Sequence, residues 1–214
     1  MPMLRWGAAI VAAWLLGSLP WGLWFGRWLR GIDVRQHGSG NRGATNVYRL
    51  LGPAPGIAVL LLDAAKGVAA VWACRFLAGS AGEWSGLVGL MAAVLGHSFT
   101  PFAGFRGGKG VATAAGAWGV LAPAALFAAL GLWALIFAVT RIVSVASIVA
   151  SVALPLAVLW VQRAGRPGPV LGAAALTAVL VVVRHRGNLR RLVRGEEKRL
   201  NLRGPGRSDG SPNR

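Results

Sequence analysis

Cysteine is nearly absent from this sequence: of 214 residues, Cys74 is the only one. No intramolecular disulfide can form and no cysteine-built metal site can be assembled, so Cys74, inside an apolar run, reads as a small packing residue. Acidic groups are almost as scarce, with 6 Asp and Glu against 23 Lys and Arg. That shortage argues against an oxygen-ligand metal site and against a two-carboxylate acid–base pair. Charge of either sign is sparse for a soluble domain, at 14% of residues. There is no internal repeat. No small-residue cleavage site follows the first apolar stretch, which therefore reads as a membrane helix rather than a signal peptide.

What is present is apolar: 55% of the chain, with a mean hydropathy of +0.58. The apolar residues come in runs, at roughly 4–27, 55–78, 84–100, 109–139, 142–161 and 169–184. Ala, Leu, Val, Gly and Trp dominate, the mixture of closely packed transmembrane helices. The run 109–139 is too long for one upright span, and Pro123 offers a break into helices near 109–121 and 124–140. The sequence thus predicts an all-α, polytopic integral membrane protein of about seven transmembrane helices. A single membrane-embedded domain is expected over 1–200, followed by a disordered basic tail over 201–214.

The formal net charge of +17 is unevenly spread. Five arginines lie between Arg27 and Arg49, and ten Lys or Arg from Arg184 onward. They sit at the ends of apolar segments, where the positive-inside rule and anionic headgroups account for them and no nucleic-acid partner is needed. Seven spans with the N-terminus outside put the loop 28–54, Arg106–Lys109, Arg141 and the C-terminal tail on the cytoplasmic side. The uncharged Ala122–Pro123 turn, and the loop 79–83 without Lys or Arg, then lie outside. Only Arg163 and Arg166 break the pattern. The bilayer is the expected partner, and a bacterial inner membrane with a cytoplasmic site the expected location.

Three polar islands interrupt this body: GSGNRGATNVYR at 38–49, GHSFTPFAGFRGGKGVAT at 96–113 and RHRGNLRRLVRGEE at 184–197. Seven spans gather them on one face. Glycine exposes backbone N–H groups and Arg and Lys supply fixed positive charge, a combination suited to phosphate. Familiar nucleotide motifs fail. GSGNRG matches GxGxxG, but a Trp- and Arg-rich helix end precedes it instead of a strand, and Asp63 lies inside another helix. GFRGGKG lacks the first glycine and the Ser/Thr of a phosphate-binding P-loop. His97 and His185 fall at predicted cytoplasmic boundaries beside cations, whereas His37 reads as solvated. Asp63 and Lys66, three apart in an apolar helix, must pair or face a polar cavity. Glu196 and Glu197 read as local partners of nearby arginines.

The islands, in this order and at these separations, closely resemble those of the PlsY family, bacterial membrane acyltransferases that use acyl phosphate to acylate glycerol 3-phosphate. The similarity covers about residues 10–200. It rests on a GSGNxGATNxxR-like stretch at 38–49, on GHxFxPFxxFxGGKGVAT at 96–113, and on RHxxNxxRLxxGxE at 184–197. The resemblance implies a seven-helix body with all three motifs at the cytoplasmic face. It implies functional roles for Ser39, Arg49, the glycines around Lys109, and His185 with Asn188, and a structural one for Glu196. The expected catalytic set is Ser39, Arg49, His97, Lys109, His185 and Asn188. Gly40, Asn41, Thr45, Asn46, Gly107, Gly108 and Gly110 are expected to bind phosphate, and Asp63 and Lys66 to be structural. No metal and no cofactor is implied; the substrates would be acyl phosphate and glycerol 3-phosphate, and the soluble acyl-phosphate synthase PlsX a partner.

The product would be lysophosphatidic acid, esterified at the sn-1 hydroxyl, in the first step of phospholipid synthesis. The HxxxxD signature of other glycerophosphate acyltransferases is missing, since Arg42, Phe102 and Arg190 follow the three histidines at that spacing. Direct attack by the substrate hydroxyl is therefore expected over an acyl-enzyme. His185, His97 and a substrate phosphate oxygen all remain as proton acceptors. The rival reading is a transporter of a phosphorylated solute, with Asp63 and Lys66 lining its path.

Overall fold

The computed structural model describes residues 2–79, 82–161 and 168–201. The tail from 202 onward, expected to be disordered, lies outside them, as do Arg163 and Arg166 and residues 80 and 81 of the loop 79–83. The described residues form ten α-helices and a short 3-10 turn, with no strand. Their order is α1 (Pro2–Ser18), α2 (Trp21–Arg30), α3 (Ala44–Leu51), α4 (Pro53–Leu77), α5 (Glu83–Ser98), the 3-10 turn (Pro101–Ala103), α6 (Val111–Leu121), α7 (Pro123–Thr140), α8 (Val143–Val161), α9 (Gly168–Arg184) and α10 (Arg186–Val193).

Two of these boundaries follow directly from proline. Pro123 splits the long run into α6 and α7, as its missing N–H predicts. Pro20 has the same effect in the first run, where a continuous helix over 4–27 was expected and α1 and α2 are found. The break exposes the carbonyl of Leu19, to which Lys66 Nζ donates at 2.9 Å. A buried cation on α4 thus seals the broken turn.

Among the described residues, five helical stretches are long and apolar enough to cross a bilayer: Pro2–Arg30, Pro53–Leu77, Glu83–Ala103, Pro123–Thr140 and Val143–Val161. α9 and α10, bent by 56° at His185, make a sixth if taken together. α6 has 11 residues, about 16 Å of helix against a hydrocarbon core of about 30 Å. Large apolar side chains such as Leu61, Phe127, Leu135, Leu156 and Val179 face outward, the inverse of a soluble surface and the arrangement that lipid requires. The chain is an all-helical, multi-pass membrane protein.

α4 lies at the centre, against α1, α3, α5 and α6. Its seam with α6 is a backbone contact. A Cβ on Gly67 would overlap the carbonyl of Thr113, and one on Gly116 the carbonyl of Ala64. Small residues at such a seam let two helices touch without side chains between them. This closeness brings the N-terminal end of α6 beside Asp63 and His97.

Candidate active site

The three polar islands converge on one cavity of about 260 Å³. Ser39, Asn41, Thr45, Asn46 and Arg49 line it from the first island and α3, and Asp63 from α4. His97 comes from α5, Lys109 and Gly110 from the glycine loop, and His185 and Asn188 from the α9–α10 bend. All six residues expected to be catalytic therefore border the same space. Gly40, Gly107, Gly108, Lys66 and Glu196 do not line it.

The local chemistry explains each position. Asn46, almost wholly buried, accepts from the Ser39 N–H at 2.8 Å and donates to the carbonyls of Val34 at 2.9 Å and His37 at 3.1 Å. Its amide is occupied in folding the 34–39 loop, which sets Ser39 at the rim. Asn41 Oδ1 accepts from the Gly43 N–H at 2.8 Å, an Asx turn opening into α3. Farther out, Asp33 and Arg35 form a 2.6 Å ion pair, and the hydrogen bond from Arg35 holds the Asp33 carboxyl down at about 2.

Gly107 and Gly108 depart from the expected phosphate cradle. Their N–H groups are already used, donating to Ser98 O at 3.0 Å and His97 O at 3.1 Å. Their carbonyls accept from the Arg184 guanidinium at 2.9 Å. The Gly40 N–H is likewise turned to His37 O, at 3.1 Å. What the paired glycines provide is close approach: a Cβ on Gly107 would strike His97 O, and one on Gly108 the Nε2 of His97.

Anion-binding capacity comes instead from two helix ends. Gly43, Ala44 and Thr45 at the start of α3, and Gly110, Val111 and Ala112 at the start of α6, all line the cavity. The first amides of a helix have no carbonyl one turn back to receive them, and the helix dipole adds partial positive charge there. Two such ends aimed at one space form a site for negatively charged groups. Arg49 and Lys109 line the same space. Burial lowers the Lys109 ammonium to about 8, with Arg191, Arg49 and Arg184 pushing the same way and Glu197 opposing. Burial also lowers Arg49, again against Glu197, without taking a guanidinium near neutrality.

Behind the cavity wall lies a buried charge cluster. Lys66 Nζ is 2.8 Å from Asp63 Oδ1, and His97 Nδ1 lies 3.2 Å from Thr113 Oγ1 and 3.7 Å from the same carboxylate oxygen. Arg42, 3% exposed, donates from Nη2 to His97 O at 2.6 Å. Burial lowers its guanidinium to about 10, against the pull of Asp63. Asp63 thus belongs to the cavity wall while Lys66 ties it to the break between α1 and α2. Among the described residues, no three His, Cys, Asp or Glu side chains converge to hold a metal ion.

Several contributors escaped sequence reasoning. Ser144 and Ser147 reach the cavity from α8, where a serine in an apolar helix carries no distinguishing signal. A second carboxylate in the site, beside Asp63, is that of Glu197; Glu196 is exposed and contributes a backbone N–H to Arg191 O. Glu197 Oε1 accepts from Ser144 at 2.7 Å and from Asn188 Nδ2, and Oε2 accepts from Arg191 at 2.8 Å. Burial raises the Glu197 carboxyl, but these three hydrogen bonds outweigh it and keep the group below its ordinary value. The Gly-x-Glu spacing that begins at Gly195 ends on residue 197, a signal within reach of the motif itself. The segment after α10 is tied down on both sides, with Lys198 O accepting from Arg49 at 2.9 Å and the Leu200 N–H donating to Arg141 O.

Glu197→Gln tests this knot. Its loss of charge should weaken three contacts, costing about 1.5–3 kcal/mol in total, seen as a lower Tm in detergent. It also removes the anion that supports the Lys109 ammonium, so the pKa of Lys109 falls further. The alkaline decline of activity should then begin at lower pH than in the wild type. An unchanged Tm and pH profile would mean that Glu197 ties nothing together.

A helical membrane body with cations and two helix N-termini around one cavity defines a membrane enzyme acting on anionic substrates. Comparison with known proteins gives the particular family. The family model described as glycerol-3-phosphate acyltransferase matches residues 7–195. A glycerol-3-phosphate acyltransferase of Synechococcus sp. is 47% identical over 192 residues, covering 90% of this chain and 93% of the relative. That of Geobacter sulfurreducens is 49% identical over 188 residues, covering 88% and 94%. The crystal structure of PlsY (YgiH), an integral membrane glycerol 3-phosphate acyltransferase, in its glycerol 3-phosphate form superposes with a TM-score of 0.80 at 39% identity, covering 92% of this chain and 96% of that one. The lysophosphatidic acid form gives 0.78 at 38% identity. This chain belongs to the glycerol-3-phosphate acyltransferase family of the PlsY type and is an acyltransferase.

Proposed function

We propose that the cavity transfers an acyl group from acyl phosphate to the sn-1 hydroxyl of glycerol 3-phosphate. The observation that carries this reading is the convergence of two helix N-termini, Arg49 and Lys109 on one space. Two anion-binding ends suit a reaction in which donor and acceptor each bring a phosphate. An acyl phosphate is a mixed anhydride and needs no further activation. The acceptor oxygen bonds to the carbonyl carbon, the carbon–oxygen bond to phosphate breaks, and inorganic phosphate leaves with the bonding electrons. The hydroxyl proton goes to His185 Nε2 or to the leaving phosphate. Nδ1 of His185 is held 2.7 Å from Val181 O, which orients the ring. His97 is packed through Nε2 against Gly108, so it serves as a wall of the site. Asn188, fixed by Glu197, and Ser39 at the rim complete the polar surround, and PlsX is the proposed source of the donor.

The same reading places residues 1–200 in one membrane domain with seven crossings. α6 makes the short fourth crossing, and the glycine loop before it lies at its cytoplasmic end. The N-terminus is then outside, the C-terminus and the site cytoplasmic, and the membrane that of the bacterial cytoplasm. Single cysteines at residues 39, 109 and 185, in a Cys74→Ala background, should all be labelled from the cytoplasmic side. Labelling of His185→Cys and Ser39→Cys from opposite sides would overturn the seven-span arrangement.

The function is tested with purified protein, glycerol 3-phosphate and either acyl phosphate or acyl-CoA. Acyl phosphate should support lysophosphatidic acid formation and acyl-CoA should not. Efficient transfer from acyl-CoA alone would refute the donor assignment.

A further inference from the structure

An apolar groove leaves the site cavity between α6, α7, α8 and α9. Its continuity with the site is shown by shared lining residues, Val111, Ala115, Leu130, Trp133 and Ser147. The groove is a slot of about 60 Å³. α6 presents Val111, Ala114, Ala115 and Trp118 to it, spaced i, i+3, i+4 and i+7 along one helix face. The first three are small and leave the slot open. The fourth is an indole, 1% exposed, about 10 Å along the helix from Val111. Its Nε1–H points across to α9, 3.4 Å from Thr177 Oγ1, and Thr177 itself donates to Ala173 O at 2.8 Å. The bulkiest side chain on this face is therefore anchored to the opposite wall, where its rotation would cost a hydrogen bond.

We propose that Trp118, pinned by Thr177, is the end-stop that sets acyl-chain length in this enzyme. The inference rests on the acyl-transfer reading of the cavity: the chain of the donor is the occupant because its carbonyl must reach Lys109 and Arg49 while its methylenes leave through the apolar opening. A stop at fixed depth discriminates by refusing added methylenes, and one methylene accepted or refused in an apolar pocket changes kcat/KM by about ten- to two-hundredfold.

The test measures kcat/KM for saturated acyl phosphates of increasing length. Trp118→Ala should raise the long-to-short ratio at least about tenfold while leaving the KM for glycerol 3-phosphate unchanged. Thr177→Val keeps the volume but frees the indole, and should shift the ratio the same way by less. Should Trp118→Ala fail to fold, Trp118→Phe gives a smaller shift of the same sign, and Ala114→Val, which narrows the slot before the stop, shifts preference to shorter donors. An unchanged length profile in folded variants, with wild-type turnover intact, would overturn the end-stop alone. A wild-type protein inert toward every acyl phosphate would instead remove the functional reading and the end-stop with it.

Discussion

Lys109→Ala is expected to reduce kcat/KM by about ten- to a hundredfold, matching the loss of one charge-assisted phosphate contact worth roughly 1.5–3 kcal/mol. Membrane insertion should be unaffected, since Lys109 sits in a loop beside the cavity and makes no packing seam. Arg49→Ala should show a loss of the same order, and Arg49→Lys should recover only part of it, because lysine keeps the charge but not the two-pronged fork. Lys198→Ala provides the control: its side chain is exposed, and Arg49 is held by its backbone carbonyl. Equal behaviour of Lys109→Ala and Lys198→Ala in folded protein would reduce Lys109 to one more inside-positive charge. The pH dependence carries a definite sign. Burial lowers Lys109 to about 8, so its positive charge is complete at lower pH and lost as pH rises through that value. Affinity for glycerol 3-phosphate should therefore fall above about pH 8 in the wild type, and this limb should be absent in Lys109→Ala.

Gly108→Ala should be as damaging for a steric reason. The added Cβ would overlap His97 Nε2, with Cδ2 at 3.0 Å and Cε1 at 3.1 Å. The loop cannot retreat, because the Gly108 N–H is bonded to His97 O and its carbonyl to Arg184. Relief must come from displacing the His97 ring from Thr113 and Asp63. Overpacking of this kind costs about 1–3 kcal/mol of stability. Turnover should fall by about a hundredfold, because the wall that His97 forms between the loop and Asp63 is deformed. Gly172→Ala is the matched control, since a Cβ there meets nothing within 4 Å. Helix propensity alone would make it neutral or stabilising by up to about 1 kcal/mol. Full activity in Gly108→Ala would show that the position of His97 is immaterial.

The sequence carried the architecture where local chemistry is decisive. Pro123 announces the α6–α7 break because a missing N–H acts wherever it falls. Pro20 acts in the same way but was hidden inside a run short enough to read as one helix. The Asp63–Lys66 pair was legible from its i,i+3 spacing. That Lys66 also seals Leu19 O, and that Asp63 faces His97, depends on how α4 meets α1 and α5.

The site was legible as residue types and less so as individual roles. The glycines at 107 and 108 look like bare amides in a sequence, yet whether an amide is free depends on carbonyls ten residues away. The stronger donors are the first turns of α3 and α6, whose common aim appears only when the two helices are placed together. Ser144 and Ser147 had no sequence signal because serine is an ordinary residue in tightly packed membrane helices. Arg42, wedged against His97 O, was hidden among arginines that topology alone could explain.

Isotopic labelling of the bridging oxygen in acyl phosphate tests the central claim most directly. The purified enzyme is supplied with labelled donor and glycerol 3-phosphate, without CoA, and both products are read by mass spectrometry. Attack at the carbonyl carbon predicts one lysophosphatidic acid for each inorganic phosphate, with the label wholly in the phosphate. Label retained in free fatty acid, or phosphate released without lysophosphatidic acid, would contradict acyl transfer at this cavity.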